Sequence, residues 1–205
     1  MHIAILTFEG YNELDSLIAF GVLNRIRNSD WRVSIASPTP RVGSGGGLVV
    51  ESHIPLDEAN AADAVIVGSG RRTRELVADQ ALMSRLQLDP ERQLVCGQCS
   101  GSLVLGKLGL LAGLPACTDS VTRPRLEEAG VEVLEQPFFA KDNVATAGGC
   151  LSSVYLAGWI IARLRGIEAA TSALHYVAPV GEKTDFVRHA MGVIAPYLHK
   201  APVTT

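Results

Sequence analysis

Charge and aromatic rings are both scarce in this sequence. Of its 205 residues, 19% are charged and 5% aromatic, while 47% are hydrophobic. So little charge excludes intrinsic disorder and favours a deeply buried central layer. So few rings argue against a base-stacking platform. A formal net charge of −3 gives no general pull towards nucleic acid or an anionic membrane. Long apolar runs are lacking too. Residues 3–8 stop at Glu9 without a basic leader, so they read as a strand and not as a signal peptide. Residues 150–162 are closed by Arg163 and Arg165, too short a run to span a bilayer. Cysteine is limited to Cys96, Cys99, Cys117 and Cys150, with no accompanying histidines of zinc-site spacing. Free thiols in a cytoplasmic protein are therefore expected, with no metal or other cofactor implied. The length suits one domain over residues 1–200, with residues 201–205 expected to be a disordered tail.

What the chain does have is alternation. Residues 2–8 form an apolar run suited to a parallel strand buried on both faces. Residues 12–26 place Leu14, Leu17, Ile18, Val22 and Ile26 at helical spacing, which marks them as the inward stripe. Further strands are expected at 32–36, 48–50, 64–67, 93–97, 131–134 and 143–146. Helices are expected at 73–86, 102–111, 151–164 and 186–198. The glycine-rich stretch 43–47 lacks the Lys-Ser/Thr of a phosphate loop and reads as a mobile turn. Strand–helix alternation at this spacing implies right-handed crossovers. The expected architecture is α/β: an open, mostly parallel sheet sandwiched between helices in a flavodoxin-like, three-layer arrangement. Ligands in such sheets sit beyond the carboxyl ends of the strands.

Three turns fall at that edge. Gly97-Gln98-Cys99-Ser100-Gly101 has the form of a nucleophile elbow, with cysteine where many hydrolases carry serine. Flanking glycines permit the sharp reversal that lifts the middle side chain into the crevice. A helix N-terminus there favours thiolate, and its N–H groups suit a developing oxyanion. The competing reading is an inert cysteine in a glycine-bounded turn; a Cys96–Cys99 redox pair is disfavoured because Cys96 belongs to the strand. The second turn is Gly68-Ser69-Gly70, where a Gly70 N–H could complete an oxyanion hole or Ser69 could simply cap a helix. Arg71 and Arg72 follow, either solvated or lining the mouth for a polar or anionic substrate. The third is Glu13-Leu14-Asp15, where Asp15 either complements the helix dipole or, partly buried with a raised pKa, serves the thiol as proton shuttle.

In sequence order these turns, with Gly109-Leu110-Leu111-Ala112-Gly113 and Thr146-Ala147-Gly148-Gly149, resemble the ThiJ/PfpI superfamily, which shares the class I glutamine-amidotransferase-like fold. The resemblance runs from about residue 3 to 166 and is nearest the isonitrile (isocyanide) hydratase branch, which uses aspartate at the position of Asp15 where deglycases use glutamate. It implies Cys99 as nucleophile, Asp15 as its acidic partner, and backbone oxyanion donors at Gly70 and Ser100. It also implies a homodimer, for which the sequence itself hints only through Ile18, Ala19 and Phe20. Two departures stand out. Asp119 falls where much of the family has a histidine, which argues against a Cys–His protease, and Gln98 replaces the usual small residue before the nucleophile. Ser69 stands in the oxyanion loop. Asp119, Gly149 and Cys150 are further candidates for lining the site, although core packing is the simpler role for Cys150 and Cys117. His2, His53, His175, His189 and His199 fall outside the expected site.

The expected function is that of a cysteine-nucleophile enzyme on a small electrophilic molecule, hydrating an isonitrile to an N-formamide. Glyoxalase or deglycase chemistry on reactive dicarbonyls is the nearest alternative. A cysteine-based redox or stress sensor is a second, and a ligand-binding regulatory domain ranks last, since the sequence has no basic stripe.

Overall fold

The structure, a computed structural model, describes residues 1–198, so the expected tail at 201–205 and His199 lie outside the described residues. The chain runs β1 (His2–Leu6), α1 (Glu13–Leu23), β2 (Arg32–Ser37), β3 (Arg41–Gly43), β4 (Val49–Glu51), β5 (Ile54–Pro55), β6 (Ala64–Val67), α2 (Thr73–Ala78), α3 (Gln80–Met83) and β7 (Leu94–Gln98). It continues α4 (Gly101–Lys107), α5 (Arg123–Glu128), β8 (Phe138–Lys141), β9 (Val144–Ala147), α6 (Ser153–Arg165), α7 (Ile167–Val177) and α8 (Lys183–Ile194). Seven strands form one sheet in the order β5-β2-β1-β6-β7-β9-β8, while β3 and β4 make a separate hairpin. Every pairing in the large sheet is parallel except β8 with β9. The expected open, mostly parallel α/β architecture is the one observed, with one antiparallel pair at its edge.

Strand parity divides the core. Ile3, Ile5, Ile66, Leu94 and Cys96 point to the face covered by α1, α6, α7 and α8. Ala4, Leu6, Val65, Val67 and Val95 point to the opposite face, against Leu76, Met83, Val104, Leu105 and Leu126 of α2–α5. β1, β6 and β7 are therefore buried on both sides, which is why they read as unbroken apolar runs. After β1 the chain goes outwards to β2, and after β6 it goes the other way to β7. The loops leaving β1 and β6 thus part at a switch point, and the elbow after β7 lies next to it. No helix among the described residues is long and apolar enough to cross a membrane.

Several local expectations fail for identifiable reasons. The 73–86 helix is broken at Asp79, whose backbone is extended and whose carboxylate instead accepts the Leu82 N–H at 3.0 Å to start α3. Residues 131–134 form no strand; Val133 makes only an isolated bridge to Ala116. The sequence pattern does not predict the short strands β3 and β5, the edge strand β8, or helices α5 and α7. The final helix is shifted to Lys183–Ile194, with a 3-10 turn at Ala195–Tyr197. In α1 the inward stripe is Asp15, Ser16, Ala19, Val22 and Leu23, whereas Leu14 is 50% exposed. Ala19 is buried in the core, and Ile18 and Phe20 pack against it while staying partly exposed.

Candidate active site

The elbow forms because its glycines leave no room for anything else. A Cβ on Gly101 would lie 2.1 Å from the Val67 carbonyl oxygen, so helix α4 can pass this close to β6 only without a side chain there. Cys99 has φ 47, a left-handed conformation rare for a non-glycine residue and held by its surroundings. Its N–H donates to Ala147 O at 2.8 Å, and its carbonyl accepts from Thr118 Oγ1 at 2.8 Å. The neighbouring loop is equally tight: a Cβ on Gly70 would meet Gly10 O at 2.7 Å.

Three elements bring their reactive atoms to one point. The Cys99 sulfur, a carboxylate oxygen of Asp15 from α1, and the Cys150 sulfur after β9 all lie within 4.8 Å of one another. Asp15 is fully buried. Ser69 Oγ donates a short hydrogen bond to Asp15 Oδ2, while Oδ1 has no hydrogen-bond partner. Asn12, the N-cap of α1, donates from Nδ2 to Cys150 Sγ at 3.2 Å. Gln98 Nε2 donates to Cys99 Sγ at 3.4 Å and to Gly149 O at 3.0 Å, leaving its buried Oε1 unpartnered.

These surroundings set the protonation of the thiols. Burial, and next the charge of Asp15, push Cys99 well above the ordinary thiol range, with only Gln98 pulling the other way. Cys150 is raised by burial and by its hydrogen bond to Asp15, against the Asn12 amide. The expectation that a helix N-terminus would keep Cys99 as thiolate is thus corrected. At the N-terminus of this seven-residue helix, desolvation beside a carboxylate works against the thiolate. The sequence singled out no metal ligands. Nevertheless Asp15, Cys99 and Cys150 are a donor set that a borderline-soft cation accepts, though protonated thiols work against it.

A cavity of about 620 Å³ opens over this cluster, within the range of small-molecule sites. Cys99, Ser69, Gly70, Ser100, Asp119 and Cys150 line it, whereas Asp15 lies beneath the surface of its wall. Gly70 N–H is not free: it donates to Ser100 Oγ at 3.3 Å, and Ser100 Oγ also meets Thr73 Oγ1 at 2.8 Å. Asp119 spends its Oδ1 on the N–H groups of Val121 and Thr122, which turn the chain into α5. Gln98 and Gly149 lie behind the sulfur and do not line the cavity. Cys150 belongs to the site and not to the core, unlike Cys117 and Cys96, which are sealed.

Residues missed from the sequence are Tyr11, Asn12, Thr73, Arg74 and Arg125, all lining the cavity with Arg71. Arg72 instead pairs with Glu75 at the surface. Asn12 carried a signal, as the N-cap immediately before the Glu-Leu-Asp turn. Glu13 accepts from Ser44 Oγ and from Gly46 N–H, the latter at 2.9 Å, which ties the glycine-rich turn to the mouth and holds the Glu13 carboxyl below its usual range. No described histidine lines the cavity. His2 and His53 bond across strands, to Ser34 Oγ and from the Ile35 N–H, and His175 and His189 are exposed.

With this geometry established, comparison with known proteins is specific about family and coarse about activity. The model of the DJ-1/PfpI family matches residues 1–163. The isonitrile hydratase of Pseudomonas putida is 24% identical over 171 residues, covering 83% of this chain and 75% of that protein. Among solved structures, Schizosaccharomyces pombe DJ-1 superposes with a TM-score of 0.75 at 15% identity, over 87% of this chain and 100% of that one. A ThiJ/PfpI family protein from Pseudomonas syringae gives 0.76 at 20% identity, over 94% and 90%. At such identities the superpositions speak for the fold.

Proposed function

The chain belongs to the DJ-1/PfpI family, and from that premise we propose that it is a cysteine-dependent enzyme that hydrates a small isonitrile to an N-formamide. The observation that carries the reading is the Asp15 carboxyl group buried beside the Cys99 thiol, which itself lines a cavity where no described histidine stands. The distant relationship to an isonitrile hydratase supports it. Carbon–sulfur bond formation needs a nucleophile and a proton donor at one carbon. A thiol beside a carboxylate supplies both, because the proton that leaves sulfur is the one the carbon must gain.

In the proposed reaction Asp15 takes the Cys99 proton as sulfur attacks the isonitrile carbon. Asp15 then delivers it to that carbon, giving a thioimidate. Water adds to the same carbon, and its proton reaches the nitrogen by way of Asp15. The carbon–sulfur bond breaks, the hydroxyl proton returns to sulfur, and the N-formamide leaves. Backbone N–H groups of Gly70 and Ser100 are the proposed donors to the developing oxygen charge, Gly70 exchanging its long bond to the Ser100 hydroxyl for it. Arg71, Arg74 and Arg125 around the mouth favour isonitriles carrying an anionic group. The functional unit we propose is a homodimer, which light scattering reads directly; a monomer at assay concentration removes that element.

The test is a panel of alkyl, aryl and carboxylate-bearing isonitriles incubated with the thiol-intact protein, with the formamide quantified. The reading expects turnover of at least one member and its loss in Cys99→Ala. No turnover across the panel, together with conversion of methylglyoxal to lactate, transfers the site to dicarbonyl chemistry.

A further inference from the structure

The isonitrile reaction leaves Cys150 unused, yet this is the one thiol besides Cys99 that reaches the cavity. Its sulfur and that of Cys99 lie within 4.8 Å of each other, and a carboxylate oxygen of Asp15 is as close to both. Asp15 is fully buried and its Oδ1 has no partner, so an acceptor stands ready where two thiol protons must be handled. We propose that Cys150 is a resolving thiol, closing a Cys99–Cys150 disulfide after a hydroperoxide oxidises Cys99.

The geometry allows closure with little movement. A disulfide needs sulfurs about 2.05 Å apart, so the two must approach by less than about 3 Å. The backbone of Cys99 is clamped by Ala147 and Thr118, so Cys150 makes the move. It opens the 3-10 turn Cys150–Ser152 directly after Gly149, whose φ is 88, and it is half-exposed. Its sulfur leaves a hydrogen bond from Asn12 to swing inwards.

The chemistry balances in two steps. Cys99 Sγ attacks one peroxide oxygen; the S–O bond forms, the O–O bond breaks, and the thiol proton passes through Asp15 to the departing oxygen, which leaves as water or alcohol. Cys99, now a sulfenic acid, has lost two electrons and the peroxide has gained them. Cys150 Sγ then attacks the Cys99 sulfur; the S–S bond forms, the S–O bond breaks, and the Cys150 proton leaves with the hydroxide as water. An external dithiol restores both thiols by exchange. The disulfide intercepts sulfenic acid before a second peroxide drives it to sulfinic acid, from which there is no simple return. It also takes the nucleophile out of service while oxidant persists.

The test treats the wild-type protein with hydrogen peroxide, in the absence of any isonitrile. Remaining thiols are then blocked with N-ethylmaleimide under denaturing conditions, and the digest is mapped by mass spectrometry. The expected result is a Cys99–Cys150 linked peptide pair, two hydrogens lighter than the free thiols and reopened by dithiothreitol. In Cys150→Ser, Cys99 should instead gain two oxygens, with the sulfinic fraction up by about tenfold over wild type. Cys99 passing to sulfinic acid in wild type as readily as in Cys150→Ser, with Cys150 still alkylated, overturns the proposal. The wild-type map needs no variant to fold. Because no substrate is present, its outcome is independent of whether isonitriles are turned over.

Discussion

Replacing Asp15 by asparagine removes a buried carboxyl group beside the Cys99 thiol while keeping nearly the same shape. An ionised carboxylate within 4.8 Å penalises the thiolate by about 3.5 kcal/mol at an effective dielectric of about 20. Removing it lowers the thiol pKa, and the same free energy corresponds to a thiolate fraction at neutral pH raised by about 300-fold. A less basic thiolate is also a weaker nucleophile; a Brønsted slope of about 0.4–0.5 takes back roughly 10–20-fold. The net expectation is that Asp15→Asn speeds alkylation of Cys99 by about 20–30-fold, even though burial, the larger cause of the raised pKa, is untouched. The assay is iodoacetamide labelling at neutral pH, followed on the Cys99 peptide. Turnover should move the other way, falling by about a hundredfold to ten-thousandfold because the proton relay is gone. A thiol that grows more reactive while the enzyme grows slower is a signature that few simpler defects imitate. Unchanged or slower alkylation in Asp15→Asn would refute the reasoning, since it would mean that the carboxyl group donates a proton to a stabilised thiolate.

The same protonation state gives wild-type Cys99 a steep pH response. Alkylation should rise by about tenfold per pH unit from pH 7 to 9, because the folded-state thiol lies above that window; a plateau inside it contradicts the raised pKa. Gly101→Ala places a Cβ 2.1 Å from Val67 O and should cost at least about 3 kcal/mol, read as a lower urea midpoint; a midpoint equal to wild type means the elbow is not so confined. Ser69→Ala leaves both Asp15 oxygens buried without a hydroxyl donor and should cost about 1.5–3 kcal/mol at neutral pH. Calorimetry showing no loss there removes Ser69 as the support of that carboxylate.

The parts of the fold legible in the sequence were those whose environment is uniform. β6 is apolar on both faces, and its bounds, Ala64–Val67, coincide with the run of apolar residues. The elbow was legible because Gly97 answers a local steric demand, a Cβ there lying 2.9 Å from the Cα of Ser102. β8 was missed because it is an antiparallel edge strand following Pro137, with Lys141 exposed, so its apolar pattern is brief. The stripe of α1 was misread because Leu14 and Leu17 outrank Asp15 on any hydrophobic scale. Packing of α1 against α6 instead buries small Ala19, and the Ser69 hydroxyl accommodates the buried acid. Cys150 is 51 residues from Cys99, and what unites them is register. Gln98 pairs with Ala147, so one residue past β7 and three past β9 arrive at the same place. Local patterns in sequence carry no record of that pairing. Asp119 was readable as a carboxylate near the site, but its use to cap the N–H groups of Val121 and Thr122 depends on how that loop turns.

The most direct measurement of the central claim is a rapid-quench mass spectrum of the protein turning over an isonitrile from the panel. Attack by Cys99 adds the whole isonitrile to the chain, since no group leaves in the first step. The account expects a transient species heavier by one substrate molecule, located on the Cys99 peptide, decaying as N-formamide appears and missing from Cys99→Ala. Formamide produced at an undiminished rate by Cys99→Ala would contradict it outright.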